Sequence, residues 1–227
     1  MHQAVAAFND VETSADTHPK VAILGEIYAK YNGFANNELV EWLIDHDVEV
    51  VVPGLVEFFL SWVINADAAV QADVHRRSLL SLMKSPVLHR ANAVLDDVDA
   101  LMANFTRYRP SYRVEDVADC AQDVLSLTHR YGEAWLIAGE IGALVKEGVH
   151  NFICLQPFGC IANHVVAKGV ERRIKELYPQ ANILFLDTDP GVSEVNYHNR
   201  LSLFLHQTAV PHQRPFPLTI TPAPARV

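Results

Sequence analysis

Two of the chain's three cysteines lie in one short segment, CLQPFGC, which runs from Cys154 to Cys160. The segment is typical of an apolar strand that ends in a Pro/Gly turn, after which a helix begins at Cys160. The free N–H groups and the dipole of a helix N-terminus favour thiolate over thiol. Thiolates bind iron–sulfur clusters and zinc, so Cys160 is the first candidate metal ligand. The alternative is a small buried hydrophobic residue at a strand–helix junction.

Cys154 is the second candidate ligand, but its position favours a structural role. It lies inside the predicted strand on the same face as Phe152, which indicates burial in the core. Cys120 lies on the flank of an amphipathic helical stripe and is predicted to be a core residue. Cys154, Cys160 and His164 also have a C-x5-C-x3-H spacing. This is weak evidence for zinc, because structural zinc takes four ligands and the chain has no second short-spaced pair.

Polar side chains follow the ends of predicted strands: Glu26, Tyr28, Asn32, Gln156, Asp187 and Asp189. The carboxyl ends of parallel strands meet at one edge of a sheet, so we expect these residues to line a binding crevice there. The carboxylates could serve in acid–base chemistry or bind a cation, although acids at strand ends are equally typical of solvated caps. Glu140 interrupts an otherwise apolar helix, which places it either near the crevice or on a solvated helix face.

The elements that must position these residues alternate between strand and helix. Four short β-rich runs, at residues 20–25, 48–52, 152–155 and 183–186, are each followed by a polar loop and a helical pattern. The pattern predicts an α/β fold, namely a flavodoxin-like four-stranded parallel sheet with helices on both faces. Residues 26–37 are predicted to form a loop. Val166, Val170, Ile174 and Leu177 predict one helix after the third strand.

The domain organisation follows from the same patterns. Residues 1–18 lack clear periodicity and are predicted to be a flexible lead-in, and residues 19–208 form a single α/β domain. Residues 55–132 contain only helical patterns, punctuated by Pro86 and Pro110, and predict a helical insertion after the second strand. Residues 209–227 form a Pro-rich tail.

Composition excludes several classes of protein. Of the 227 residues, half are hydrophobic and 20% are charged, which is typical of a globular protein. A net charge of −9 and a pI of about 5.6 argue against a nucleic-acid surface. The longest apolar run, residues 58–64, is too short to span a membrane, and the N-terminus shows no secretory signal. We therefore expect a cytoplasmic protein with reduced cysteines. Neither a dinucleotide fingerprint nor a P-loop is present.

Several motifs together resemble a known family. They are GEIY (25–28), ANN (35–37), VVVPGL (50–55), CLQPFGC (154–160) and DPGVSE (189–194). Over about residues 20–206 the chain resembles the C-terminal region of the large activase-related proteins of the 2-hydroxyacyl-CoA dehydratase system. The resemblance implies a cysteine-ligated iron–sulfur cluster of the 4Fe–4S type. It also implies ATP-driven, low-potential electron transfer towards a CoA thioester in anaerobic metabolism. Cys160 matches the position of a cluster-ligating cysteine.

The chain departs from that family in two ways. It offers Cys160 and Cys154 as ligands, where a cubane normally takes several thiolates, and it has no ATP-binding motif. The resemblance therefore implies a C-terminal lobe that is catalytically incompetent alone. Upstream activase or dehydratase-like domains, a second lobe or a homodimer would complete it. The cluster is expected in the full-length protein and need not be held by this chain.

Two other classes of function stay open. The first is a cluster-free binding or regulatory lobe that takes a CoA ester or a nucleotide at the crevice. The second is a structural module that docks a partner domain through apolar residues of segment 55–63.

Overall fold

The computed structural model describes residues 2–14, 16–74, 76 and 84–208. The sheet contains the strands β1 (Lys20–Gly25), β2 (Glu49–Val51), β3 (Asn151–Gln156) and β4 (Asn182–Asp187). The helices of the first half are α1 (His2–Asn9), α2 (Ile27–Tyr31), α3 (Leu39–Ile44), α4 (Val56–Gln71) and α5 (Lys84–Met102). The second half contains α6 (Val114–Gln122), α7 (Ala134–Lys146), a π-helix (Ile161–Ala167), α8 (Glu171–Leu177) and α9 (Glu194–Gln207).

The four strands form one parallel sheet in the order β2-β1-β3-β4. In the register of the central strands, Leu24 is paired with Cys154, and Cys154 with Phe185. This order, with helices around the sheet, confirms the predicted flavodoxin-like fold. Every strand end that was predicted to carry polar residues consequently lies at one edge of the sheet.

Both faces of the sheet are buried, as a parallel sheet requires. Alternate residues of a strand point to opposite faces, so Leu24 and Cys154 share one core with Ile141 of α7. Ile23 belongs to the other core, together with Leu39 of α3. The near-continuous apolar runs of β1 and β3 follow from this burial on both sides.

The predicted helical insertion forms a third core, in which α4, α5 and α6 pack with α7. Helix α7 is shared between this core and the sheet. Its close contact with α6 depends on Gly139, because a Cβ atom there would lie 2.3 Å from the carbonyl oxygen of Val117. Pro110 lies between α5 and α6, and Pro86 lies in the first turn of α5, where a missing N–H is tolerated.

The N-terminal segment, predicted to be a flexible lead-in, contains a short helix. It forms α1, which lies beside the end of the insertion. The rings of Phe8 and Phe105 are 6.1 Å apart, and Asn9 Oδ1 accepts a hydrogen bond of 3.2 Å from the amide of Thr106. These contacts are distant in sequence, which is why local periodicity gave no sign of them. The loop predicted at 26–37 likewise contains the short helix α2.

The helix predicted after β3 is divided into two parts. The first is the π-helix Ile161–Ala167, and the second is α8, in which Ile174 is buried. The wider turn of a π-helix changes which positions face the core. Ala162, Asn163 and Ala167 are buried there, whereas Val166 is only partly buried. The regular 3.6-residue stripe was therefore the wrong pattern for this segment.

Helix α4 leaves two of its aromatic side chains in solvent and buries an acid. Phe59 and Trp62 are 59% and 58% exposed, whereas Glu57 is buried. The Pro-rich segment 209–227 lies outside the described residues. Among the helices of the described residues, none is both long and apolar enough to cross a membrane.

Candidate functional site

The loop after β1 begins at a close approach between two central strands. The amide of Glu26 donates a hydrogen bond of 3.0 Å to the carbonyl oxygen of Leu155. Glu26 Oε2 then accepts a bond of 2.7 Å from the amide of Ala29 and caps α2. Asn32 Oδ1 accepts from the amide of Ala35 at 3.3 Å, and Tyr28 is exposed. Glu26 and Asn32 thus order the loop itself.

The loops after β3 and β4 are joined by hydrogen bonds at the same edge. Gln156 Nε2 donates to Asp187 Oδ1 at 2.7 Å, and Asp187 Oδ2 lies 3.6 Å from Arg200 Nη1 of α9. Asp189 Oδ2 accepts a bond of 2.7 Å from the amide of Phe158. The structure therefore brings together Gln156, Asp187 and Asp189, and Gln156 keeps a buried Oε1 atom without a hydrogen-bond partner.

Cys160 immediately precedes the π-helix, at the start of a helix as predicted. Its carbonyl oxygen accepts bonds from the amides of His164 and Val165 at 2.9 and 3.2 Å. Its Sγ atom accepts a bond of 3.2 Å from Asn163 Nδ2, which fixes the position of this amide beside the sulfur. His164 Nδ1 accepts from the amide of Gly159 at 2.9 Å, which orients this ring toward the turn.

Cys154 lies inside β3 and is buried, with Leu24 and Phe185 as its neighbours in the sheet. Burial raises the pKa of its thiol, and the negative charge of Glu140 raises it further. Cys120 is also buried, and its Sγ atom accepts a bond of 3.1 Å from Lys146 Nζ. Both thiols belong to packed cores, whereas Cys160 is partly exposed.

The family resemblance implies an iron–sulfur cluster, and the thiols of the chain are its candidate ligands. Across residues 2–14, 16–74, 76 and 84–208, no group of three or more Cys, His, Asp or Glu side chains is placed to hold a metal ion. The described residues supply Cys160 as a partly exposed thiol and Cys154 as a buried one with a raised pKa. By themselves they do not fit a cubane, which requires several thiolates.

Glu140 lies in the interior, so a solvated helix face is the wrong interpretation. Its side chain is 2% exposed, and its Oε1 atom lies 3.9 Å from Nζ of the buried Lys30. Burial raises the pKa of Glu140 from 4.5 to about 7; the charge of Lys30 opposes this rise, and Glu57 and Glu133 add to it. The result is a buried carboxylate that binds a proton near neutral pH.

Two further buried acids lie around this pair. Glu133 Oε1 accepts a bond of 3.2 Å from the amide of Ile27, which ties the segment before α7 to the loop after β1, and burial raises its pKa. Glu57, at the start of α4, is also buried. Tyr31 donates a hydrogen bond to the carbonyl oxygen of Pro53. Burial, followed by the charges of Glu140 and Glu57, raises its pKa to about 12.

Sequence reasoning missed Lys30, Glu57 and Glu133 as members of a charged interior group. Two signals were available. Lys30 lies in the GEIY-x-K segment directly after β1, and Glu57 follows the Pro-Gly turn after β2, so both come shortly after a strand end. Neither signal indicates that these side chains are buried, because charged residues that follow strand ends are usually solvated.

The chain was compared with known proteins by family, by sequence and by structure. No protein-family model matches it, and neither the curated proteins nor the solved structures gave a match. The family resemblance therefore stays a prediction.

Proposed function

We propose that this chain is the α/β lobe of an activase-related or dehydratase-like iron–sulfur protein. In this role it supplies Cys160 as one thiolate ligand at an interface with another lobe. The observation that carries the proposal is the placement of Cys160 at the carboxyl edge of the sheet, where Asn163 donates a hydrogen bond to its sulfur. The described residues do not complete a cluster site, so the remaining ligands belong to upstream domains, a second lobe or a second copy of the chain.

The surroundings of Cys160 support a ligand role in three respects. Its sulfur is partly exposed, unlike those of Cys120 and Cys154. Cys160 is the N-cap residue of the π-helix, so it stands at the helix end whose N–H groups lack intrahelical partners. Phe158 and Ile161 beside it are exposed apolar side chains, a feature typical of a protein contact surface. A bound cluster would supply one-electron chemistry, and this lobe would contribute a ligand and a contact surface.

We also propose that the protein works in the reducing environment of the cytoplasm. The three cysteines are free thiols, a state that persists in such a compartment and is lost in oxidising ones.

Iron content tests the ligand role directly. The longest natural form of the protein, with its partner lobe, would be reconstituted anaerobically with iron and sulfide. We expect Cys160→Ala to lose iron and visible absorbance, and Cys120→Ala to retain both. Cys154→Ala would show whether the second candidate cysteine binds iron in the assembled protein. Unchanged iron content in Cys160→Ala would overturn the proposal.

A second candidate function is a cluster-free lobe that binds a CoA ester or a nucleotide at the same edge. It is favoured by Gln156 Oε1 and Asn163 Oδ1, two buried amide oxygens without hydrogen-bond partners. The amide N–H groups of pantetheine or the amino group of adenine would satisfy such acceptors. A melting-temperature increase with CoA or ATP that is equal in wild type and Cys160→Ala would favour this function. Gln156→Leu would then abolish the increase.

A further inference from the structure

A cleft separates the end of β2 from the segment that leads into α6. Its volume is about 270 Å³. Its apolar walls are formed by Val51, Val52, Pro53, Pro110 and Leu144, and its polar groups come from Gly54, Glu57, Arg109, Ser111 and Tyr112. A molecule of liquid water occupies about 30 Å³, so the cleft suits a ligand of no more than about ten non-hydrogen atoms.

Glu57 is the unusual group in this cleft. It is 2% exposed, and its Oε2 atom has no hydrogen-bond partner. A buried acceptor without a donor destabilises the folded protein, and more so when the group is charged. A donor that enters the cleft would remove this cost. The orphaned oxygen therefore points to a ligand that donates hydrogen bonds.

The neighbouring cations are already engaged by other acids. Arg109 donates hydrogen bonds to Glu147 and to the hydroxyl group of Tyr112. Lys30 lies 3.9 Å from Glu140. Among the groups that line the cleft, Oε2 of Glu57 is therefore an acceptor that still lacks a donor, which favours a cationic donor over an anionic ligand.

We propose that this cleft binds the ammonium group of a small primary amine, with Glu57 as its counter-ion. An ammonium group supplies three donors and a positive charge, which match the orphaned carboxylate oxygen. Pro53, Pro110 and Leu144 pack against its apolar body. An organic cation suits the site better than a metal ion, because the described residues place no group of three or more metal-ligating side chains together.

The charge requirement is tested on the wild-type chain with butylammonium and 1-butanol, which have similar size and shape. Binding is followed by NMR titration of the backbone amides of Gly54 and Ser111. We expect saturable shifts with butylammonium and an affinity for 1-butanol that is lower by about ten-fold or more. Equal affinities for the two probes, or no saturable shift with the amine, would overturn the proposal.

Two variants locate the charge. We expect Glu57→Gln, which keeps the size of the side chain, to weaken butylammonium binding by about ten-fold or more. Glu115→Gln is the matched control. Glu115 also has a buried oxygen without a hydrogen-bond partner, but it lies on α6 outside the cleft. We expect that variant to bind like wild type, and equal weakening in both variants would rule out a specific counter-ion.

The amine site stands apart from the proposed cluster ligand. Cys160→Ala should leave butylammonium binding unchanged, and Glu57→Gln should leave iron content unchanged. Failure of one proposal is therefore distinguishable from failure of the other.

Discussion

Lys30 and Glu140 form an ion pair in the interior of the protein, with 3.9 Å between Nζ and Oε1. Lys30 lies in α2, which follows β1, and Glu140 lies in the middle of α7, which packs against the sheet and the insertion. The pair therefore joins α2 to the helix that two of the cores share. Buried ion pairs add little net stability, but the removal of one partner leaves a costly uncompensated charge.

The pKa of Glu140 predicts a pH-dependent stability. Burial raises this pKa from 4.5 to about 7. Between those values the folded protein holds a proton that the unfolded chain has released. The contribution of Glu140 to stability is thus fully present below pH 4.5 and is lost as the pH rises through about 7. We expect the free energy of unfolding of wild type to fall by about 3 kcal/mol relative to Glu140→Gln over that range.

Urea denaturation at a series of pH values measures this difference. Glu49→Gln is the control, because Glu49 is half exposed and pairs with Lys20 at the surface. That variant should keep the wild-type pH dependence. An unchanged pH dependence in Glu140→Gln would show that Glu140 does not hold the proton.

Lys30→Met should destabilise the protein at high pH. Glu140 would then be buried without its cationic partner, and we expect a loss of about 3 kcal/mol or more in the free energy of unfolding above pH 7. Below pH 4.5 the loss should shrink or reverse, because Glu140 is protonated there. Lys20→Met removes an exposed ion pair of 3.5 Å and should cost less than about 1 kcal/mol at any pH. Similar losses in the two variants would contradict the buried pairing.

Gly25→Ala should destabilise the sheet at the point where its site loops begin. A Cβ atom there would lie 2.1 Å from the carbonyl oxygen of Leu155, and Gly25 has a φ angle of +109°. We expect a loss of about 2 kcal/mol or more, measured by thermal or urea unfolding. Gly191→Ala is the control, since no atom lies within 4 Å of its Cβ position. If both variants are as stable as wild type, the close approach of the two strands is wrong.

The three thiols should react with iodoacetamide in two classes. Cys160 is partly exposed, whereas Cys154 and Cys120 are buried, and burial raises the pKa of Cys154. We expect native protein to be alkylated at Cys160, and the other two cysteines to react only when urea unfolds the chain. Peptide mass spectrometry identifies the modified residues, with Cys160→Ser as the control that should show almost no native labelling. Native labelling of Cys154 at the rate of Cys160 would refute its burial.

Much of the fold could be predicted because strands that are buried on both faces are continuous apolar runs in the sequence. The apolar runs around Ile23 and Ile153 and the Pro-Gly turn after β2 were sufficient for a parallel sheet with one loop-bearing edge. The position of Cys160 at the start of a helix was also predictable, since a Gly residue and a turn precede it. These features depend on neighbours a few residues away.

The charged interior depended on tertiary structure. The local sequence around Glu140 is consistent with both a solvated and a buried carboxylate. Glu140 is buried because α7 packs between the sheet and the insertion. Its partner Lys30 lies 110 positions earlier in the chain. The same holds for α4, in which Glu57 and Asn65 are buried although nothing in the local sequence indicates it.

The sequence by itself therefore determined the sheet, the edge at which its loops meet and the cysteine at that edge. Tertiary structure decided which of the acids are buried. This difference between what the sequence and the tertiary structure determine has a physical reason. Hydrophobic periodicity is a local property of the chain, whereas the desolvation of Glu57 and Glu140 depends on elements that are distant in sequence and meet only in the folded protein.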